Sequence, residues 1–138
     1  MNKILALDIG EKRIGVAVSD TLGMLAHPLV TLQWKGLSQL IADMHKLADE
    51  NETTIFIIGI PYTMRGTHSQ KTIEIKTIID ELKKQTAWTI IEVDERLTTQ
   101  MAHKTLHNVG KKPSKHRDKV DQIAAVHILQ SYLDGLGK

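Results

Sequence analysis

Cysteine is absent from this chain, and that one absence excludes disulfides, a thiolate nucleophile and zinc held by sulfur. Any metal ligand must therefore be a carboxylate or a histidine. Long apolar runs are missing too: no stretch approaches the roughly 18 to 20 apolar residues of a membrane span. Met1-Asn2-Lys3 leads into a short apolar segment broken by Asp8 and followed by Gly10-Glu11-Lys12-Arg13, unlike the apolar stretch of a signal peptide. A soluble, cytoplasmic protein without a membrane partner is expected. Aromatic residues make up only 4% of the sequence, which argues against a base-stacking platform as the main contact to nucleic acid. No repeat, low-complexity tract or linker rich in Pro, Gly and Ser divides the chain. Residues 1–138 are read as one domain, large enough to bury roughly 68% of its unfolded surface.

A large net charge is lacking as well. The formal +2 announces no polyanionic partner, but its distribution is uneven. Residues 111–119 carry Lys111, Lys112, Lys115, Arg117 and Lys119 against Asp118, a local +4 that leaves −2 elsewhere. Such a segment suits a phosphate-contacting arm, with His116 as a further phosphate contact or a proton relay; a solvated surface loop is the plain alternative.

What is present starts with Asp8, inside the otherwise apolar run Ile4-Leu5-Ala6-Leu7-Asp8-Ile9. An ionised carboxylate in a packed strand costs several kcal/mol unless a cation, hydrogen bonds or a raised pKa compensates, order-of-magnitude. Around it, alternation predicts a second strand over Arg13 to Ser19 and a short third over Pro28 to Gln33. The period then changes. Leu37, Leu40, Ile41, Met44, Leu47 and Ala48 mark an amphipathic helix over residues 36–50. Ile55-Phe56-Ile57-Ile58 reads as a strand covered on both faces and stopped by Gly59-Ile60-Pro61. A helix from about Ser69 to Gln85, a strand from Trp88 to Val93, a helix capped by Thr98 or Thr99 through about Asn108, and a last helix from about Lys115 to Leu133 complete the order. The expected fold is α/β, with a mixed five-stranded sheet (a three-strand meander plus parallel crossovers) flanked by helices. Asp8, Gly59-Ile60-Pro61 and Asp94-Glu95-Arg96 then converge at one sheet edge, where open α/β sheets bind ligands.

Further acids can join Asp8 there. Asp121 heads the face that carries Ala124, Ala125, Ile128 and Tyr132, although an acid near a helix start is also simply favoured by the dipole. Spacing cannot choose between Asp94 and Glu95, and either could pair with Arg96 instead. Asp8, one of that pair, and Asp121 would make an oxygen-rich set suited to Mg²⁺ or Mn²⁺ and to in-line displacement at phosphorus. Asp20 and Asp118 are further acids, Asp20 reading mainly as a turn residue.

At these motifs the chain resembles the YqgF/RuvX family. Asp8-Ile9-Gly10 with Lys12-Arg13-Ile14-Gly15, Gly59-Ile60-Pro61 with Gly66, Asp94-Glu95-Arg96-Leu97-Thr98-Thr99, and Val120-Asp121-Gln122-Ile123-Ala124-Ala125 carry the resemblance across nearly the whole chain. The resemblance implies an RNase H-like fold akin to RuvC-type resolvases and a cytoplasmic nuclease in 5′-end maturation of pre-16S ribosomal RNA. It also implies that the catalytic, metal-binding acids are Asp8, Glu95 and Asp121. Tyr62-Thr63-Met64-Arg65 departs from the family's more usual Leu-Asn-Met-Asp, leaving the ligand set alone but changing local substrate contacts.

Lys12, Arg13 and Arg96 flank the acids and suit phosphate contacts, or steady the carboxylates, and join the basic segment as the expected nucleic-acid contacts. His103 and His107 stand one helical turn apart without a third ligand, so a solvated helix face is favoured over zinc. The leading expectation is a metal-dependent endonuclease acting on structured RNA in the pre-ribosomal particle, as a monomer or weak homodimer. A resolvase of branched DNA, a non-catalytic rRNA-binding assembly factor and, last, an actin-like ATP-binding lobe are the alternatives.

Overall fold

Alternating apolar residues decide which side of each strand is covered, and here the two sides differ in size. The computed structural model describes residues 3–97 and 117–136. Strands β1 (Leu5–Ile9), β2 (Arg13–Ser19) and β3 (Ala26–Gln33) form an antiparallel meander. Helix α1 (Leu37–Glu50) leads to β4 (Ile55–Ile60), and α2 (Gln70–Gln85) leads to β5 (Thr89–Asp94). A single 3₁₀ turn, Glu95–Leu97, follows β5, and helix α3 spans Arg117–Leu136. The sheet order is β3-β2-β1-β4-β5, with β4 parallel to both β1 and β5. The expected mixed five-stranded sheet is thus observed.

Large side chains line one face. Leu5, Leu7, Ile14, Val16, Phe56 and Ile58 pack under α1 and α2, whose stripes bury Leu40, Met44, Leu47, Ile75, Ile79 and Leu82. The opposite face presents the small residues Ala6 and Ala17 together with Ile57, and α3 covers it with Ala125, Ile128, Leu129 and Leu133. Small residues on that side let one helix lie close across the sheet centre. The stripe on α3 is accordingly rotated from the expected one: Leu129 and Leu133 are buried, while Ala124 and Tyr132 are only partly so.

Strand β4 runs further than its sequence suggests. Gly59 and Ile60 continue the ladder, paired with Val93 and Asp94, and only Pro61 ends it. Proline has no N–H for the next rung. Ser69 caps α2 in a reciprocal box with Thr72, whose buried hydroxyl also donates to the Pro61 carbonyl at 2.6 Å. That bond ties the start of α2 to the end of β4. The helix expected from Thr98 or Thr99 to Asn108, and the basic loop after it, lie outside the described residues. No described helix is long and apolar enough to cross a membrane.

Candidate active site

The carboxyl ends of β1, β4 and β5 lie side by side because all three strands are parallel. Asp8 sits near the end of β1, the central strand of the five. Its cross-strand partner on β2 is Gly15, and on β4 the parallel register that pairs Leu7 with Ile58 brings Gly59 alongside. Asp8 is therefore flanked by two residues without side chains.

Each glycine makes room for a different element. A Cβ on Gly15 would collide with the backbone carbonyl of Asp121, so the bare backbone there lets the start of α3 settle on β2. A Cβ on Gly59 would lie 2.7 Å from Cγ of Glu95 and 2.6 Å from Cδ1 of Ile128. The space over Gly59 is occupied by the Glu95 side chain, folded back from the 3₁₀ turn toward Asp8.

Glu95 and Asp8 meet in a side-chain hydrogen bond. Burial first, then the bond to Asp8 and its charge, push the Glu95 carboxyl up to about 9. Asp8 is raised as well, first by burial and then by the nearby Asp121 charge, with the Glu95 bond and Lys71 pulling it down. Two carboxylates in contact cannot both ionise without a compensating cation, so near neutrality the pair holds one proton and protonated Glu95 donates to Asp8. Asp8 nevertheless keeps some accessible surface, as a ligand must.

Asp94, the neighbouring acid, is committed elsewhere. It takes Arg96 Nη2 at 2.6 Å, Arg96 Nε at 3.0 and 3.1 Å, and the Arg96 backbone N–H at 2.9 Å. The Arg96 hydrogen bonds hold its carboxyl below the usual range. A period of two sends adjacent residues to opposite sides, and this pairing shows which went where. Arg96 also stands over the Tyr62 ring, 5.7 Å from its centroid, with Lys76 at 5.5 Å. Tyr62, part of the departure from the family motif, is thus packed among cations.

Asp121 comes to the same edge but bonds to Arg13, Nε to Oδ2 at 2.8 Å. It acts on Asp8 through its charge. Among the described residues no group of three or more acids and histidines stands close enough to hold a metal ion. The chemistry of the donor set still fits one: a proton-sharing pair of half-buried carboxylates, one on β1 and one on the turn after β5, with a third acid within electrostatic reach, is made of the hard oxygen ligands that Mg²⁺ and Mn²⁺ take.

Lys12 and Arg13 line, with Gly10, Glu11 and Asp121, an open cleft of about 430 Å³. Lys111, Lys112, Lys115 and His116 lie outside the described residues, as do His103 and His107. Arg117 and Lys119 belong to the first turn of α3, and their side chains lie outside the described part. Asp20 closes a turn, its carboxylate accepting from the Met24 N–H at 2.8 Å. It sits at the other end of β2 from the acids.

Sequence reasoning missed Lys71. Its charge is the cation that lowers both Asp8 and Glu95. A signal existed: a lysine in the first turn of α2, just after the Ser69 cap, opposes the helix dipole, so its place there calls for another partner. Gly15 and Gly59 were legible as motif members but not as the space for α3 and Glu95.

A family model described as RuvX: Holliday junction resolvase matches residues 2–135. Proteins named "Putative pre-16S rRNA nuclease" are 40% identical in Chloroflexus aggregans, covering 95% of this chain and 92% of that one. The namesake in Acetivibrio thermocellus is also 40% identical, over 99% and 98%. Among solved structures, the Fowlpox virus resolvase with Holliday junction DNA superposes with a TM-score of 0.59 at 12% identity, covering 99% of both chains. The RuvC of T. thermophilus with a Holliday junction substrate gives 0.57 at 12% identity, covering 99% of this chain and 97% of that one. At that identity the likeness is one of fold, the RNase H-like fold.

Proposed function

This chain belongs to the RuvX family, and from that premise we propose a metal-dependent endonuclease, one domain over residues 1–138, that hydrolyses phosphodiester bonds in structured RNA. Its cellular task in this reading is 5′-end maturation of pre-16S rRNA on the pre-ribosomal particle, in the cytoplasm, as a monomer or weak homodimer. The observation that carries it is the contact of Asp8 with Glu95 at the end of a central strand. Structural acids are not commonly placed so that they must share a proton; catalytic and metal-binding ones are.

Asp8, Glu95 and Asp121 are the residues that would hold Mg²⁺ or Mn²⁺. When bound, such an ion supplies Lewis-acid polarisation of the phosphate and a water acidic enough to attack at neutral pH. The chain's own residues do the rest. Asp8, fixed on β1, would be the rigid ligand, and Glu95, which shares a proton with it in the metal-free protein, would have to release that proton to solvent to serve as the second. Lys12 and Arg13, lining the cleft beside Asp121, orient the phosphate, and Lys111, Lys112, Lys115, His116, Arg117 and Lys119 grip the flanking backbone. Arg96 holds Asp94 and the Tyr62 ring, and its role is to steady the turn that presents Glu95.

A second reading, a resolvase of four-way DNA junctions, is favoured by the description of the matching family model. Purified protein and Asp8→Asn, titrated with Mg²⁺ and Mn²⁺ and offered precursor rRNA ends and four-way junctions, separate the two. Cleavage of the RNA alone supports the proposal, and cleavage of the junction alone supports the second reading. Binding without product under every divalent ion would instead identify a non-catalytic assembly factor, and unchanged cleavage by Asp8→Asn would remove the acid pair from the mechanism.

A further inference from the structure

Asp121, one of the acids at this edge, is paired with a cation of the chain itself. Arg13 Nε donates to Asp121 Oδ2 at 2.8 Å across 108 residues of sequence. Both side chains stay partly open to water, at 27% and 20%, and both line the cleft of about 430 Å³. The backbones behind them are anchored. The Gly10 N–H bonds the Arg13 carbonyl at 2.9 Å, and the bare Gly15 seats the Asp121 backbone on β2. Exchange of partners therefore requires only side-chain rotation.

We infer that Arg13 guards Asp121 until substrate arrives: a phosphate entering the cleft takes the guanidinium, and the freed carboxylate joins Asp8 and Glu95 as the third metal ligand. The inference rests on the nuclease reading above. Three observations support it. The contact engages Nε alone among the described residues, whereas a phosphate offers the guanidinium a two-point, charge-assisted grip. The pair is a single-point contact, part-open to water, so its exchange for a two-point grip on phosphate is opposed only modestly. And the described acids do not form a three-ligand group, although Asp121 is near enough for its charge to act on Asp8. Exchange of Arg13 for a phosphate would leave the Asp121 carboxylate open to a metal ion at this edge.

The consequence is a thermodynamic coupling: nucleic acid tightens metal binding, and metal tightens nucleic-acid binding by the same factor. A nuclease so built stays short of a ligand until its substrate is in position.

Calorimetric titration of Mn²⁺ into the full chain tests this without reading activity. The comparison uses wild type, Arg13→Gln and the double variant Arg13→Gln/Asp121→Asn, each with and without an RNA hairpin whose phosphorothioate, 2′-O-methyl backbone resists cleavage. Free Arg13→Gln is expected to bind Mn²⁺ at least about fivefold more tightly than wild type, the scale of a lost surface ion pair and a removed positive charge. The double variant loses that gain. RNA raises the affinity of wild type and not of Arg13→Gln. Equal or weaker Mn²⁺ binding by free Arg13→Gln, a gain that persists in the double variant, or a wild-type affinity indifferent to RNA overturns the inference. Should Arg13→Gln not fold, Arg13→Lys carries the same comparison, with a smaller gain expected and no gain overturning it. Wild-type protein that cleaves no nucleic acid, while these affinities behave as expected, would sink the nuclease reading and leave the guarded carboxylate standing.

Discussion

Gly59 is the floor beneath Glu95: a Cβ at that position would come within 2.7 Å of the Glu95 Cγ. The same Cβ would come within 2.6 Å of Ile128 Cδ1, so two side chains have to shift to admit it. Gly59→Ala is expected to displace Glu95 from Asp8, reduce cleavage by about a hundredfold and cost about 1 to 3 kcal/mol of stability. Kinetics together with denaturant melts check both, and a variant with wild-type cleavage would show that the position of Glu95 is not critical.

Gly15→Ala should behave differently. There the added Cβ meets the backbone of α3 at Asp121 rather than a movable side chain, so the helix itself must shift. Because that helix buries Ala125, Ile128, Leu129 and Leu133, the loss is expected to exceed that of Gly59→Ala, at about 3 kcal/mol or more. Urea denaturation of the two variants side by side gives the ordering.

Asp94 and Glu95 are neighbours with opposite expected phenotypes. Glu95→Gln removes one of the paired carboxylates and should abolish cleavage. Asp94→Asn weakens a pair with Arg96 that is a quarter to a third exposed, so a stability cost of about 1 kcal/mol or less is expected, with cleavage kept within about threefold. Steady-state assays on both variants decide which acid the chemistry uses.

The shared proton gives a pH signature in the metal-free protein. Glu95 is raised from 4.5 to about 9, so the folded state binds more protons than the unfolded state between those values. Its favourable contribution is complete below pH 4.5 and is lost as the pH rises toward about 9. Thermal melts in chelator should therefore show stability declining across this window, Glu95→Gln should flatten the decline, and Mg²⁺ should offset it increasingly at the alkaline end. A wild-type profile as flat as that of Glu95→Gln would contradict the proton-sharing pair.

Gln130 offers a control remote from the acids. Its amide accepts from the Ala26 N–H at 2.9 Å and donates to the Met24 carbonyl at 3.0 Å, tying α3 to the start of β3. Gln130→Ala should cost about 1 to 2 kcal/mol and leave cleavage unchanged, as read by melting and by the same assay.

Much of this architecture was legible before any coordinate. The β2 boundaries agree with the alternation of Arg13 to Ser19, and the α1 stripe buries Leu40, Met44, Leu47 and Ala48 of the residues its spacing singled out, with Leu37 and Ile41 partly covered, because period and burial are local properties of a strand or helix. The end of β4 was less legible. Gly59 reads as a stop in isolation, yet in the sheet it is a rung whose missing side chain is filled by Glu95.

The sequence by itself determined that a carboxylate would sit in an apolar strand, that the sheet would mix a meander with parallel crossovers, and that acids and bases would gather at one of its edges. Only the tertiary structure decided that Glu95 reaches Asp8 while Asp94 turns to Arg96, that Arg13 holds Asp121, and that the Lys71 charge acts on the pair. The reason is physical. Pattern and propensity act within a few residues, whereas a proton shared between Asp8 and Glu95 depends on strand register, on two missing side chains and on the path of a distant helix, which exist only once the chain has closed on itself.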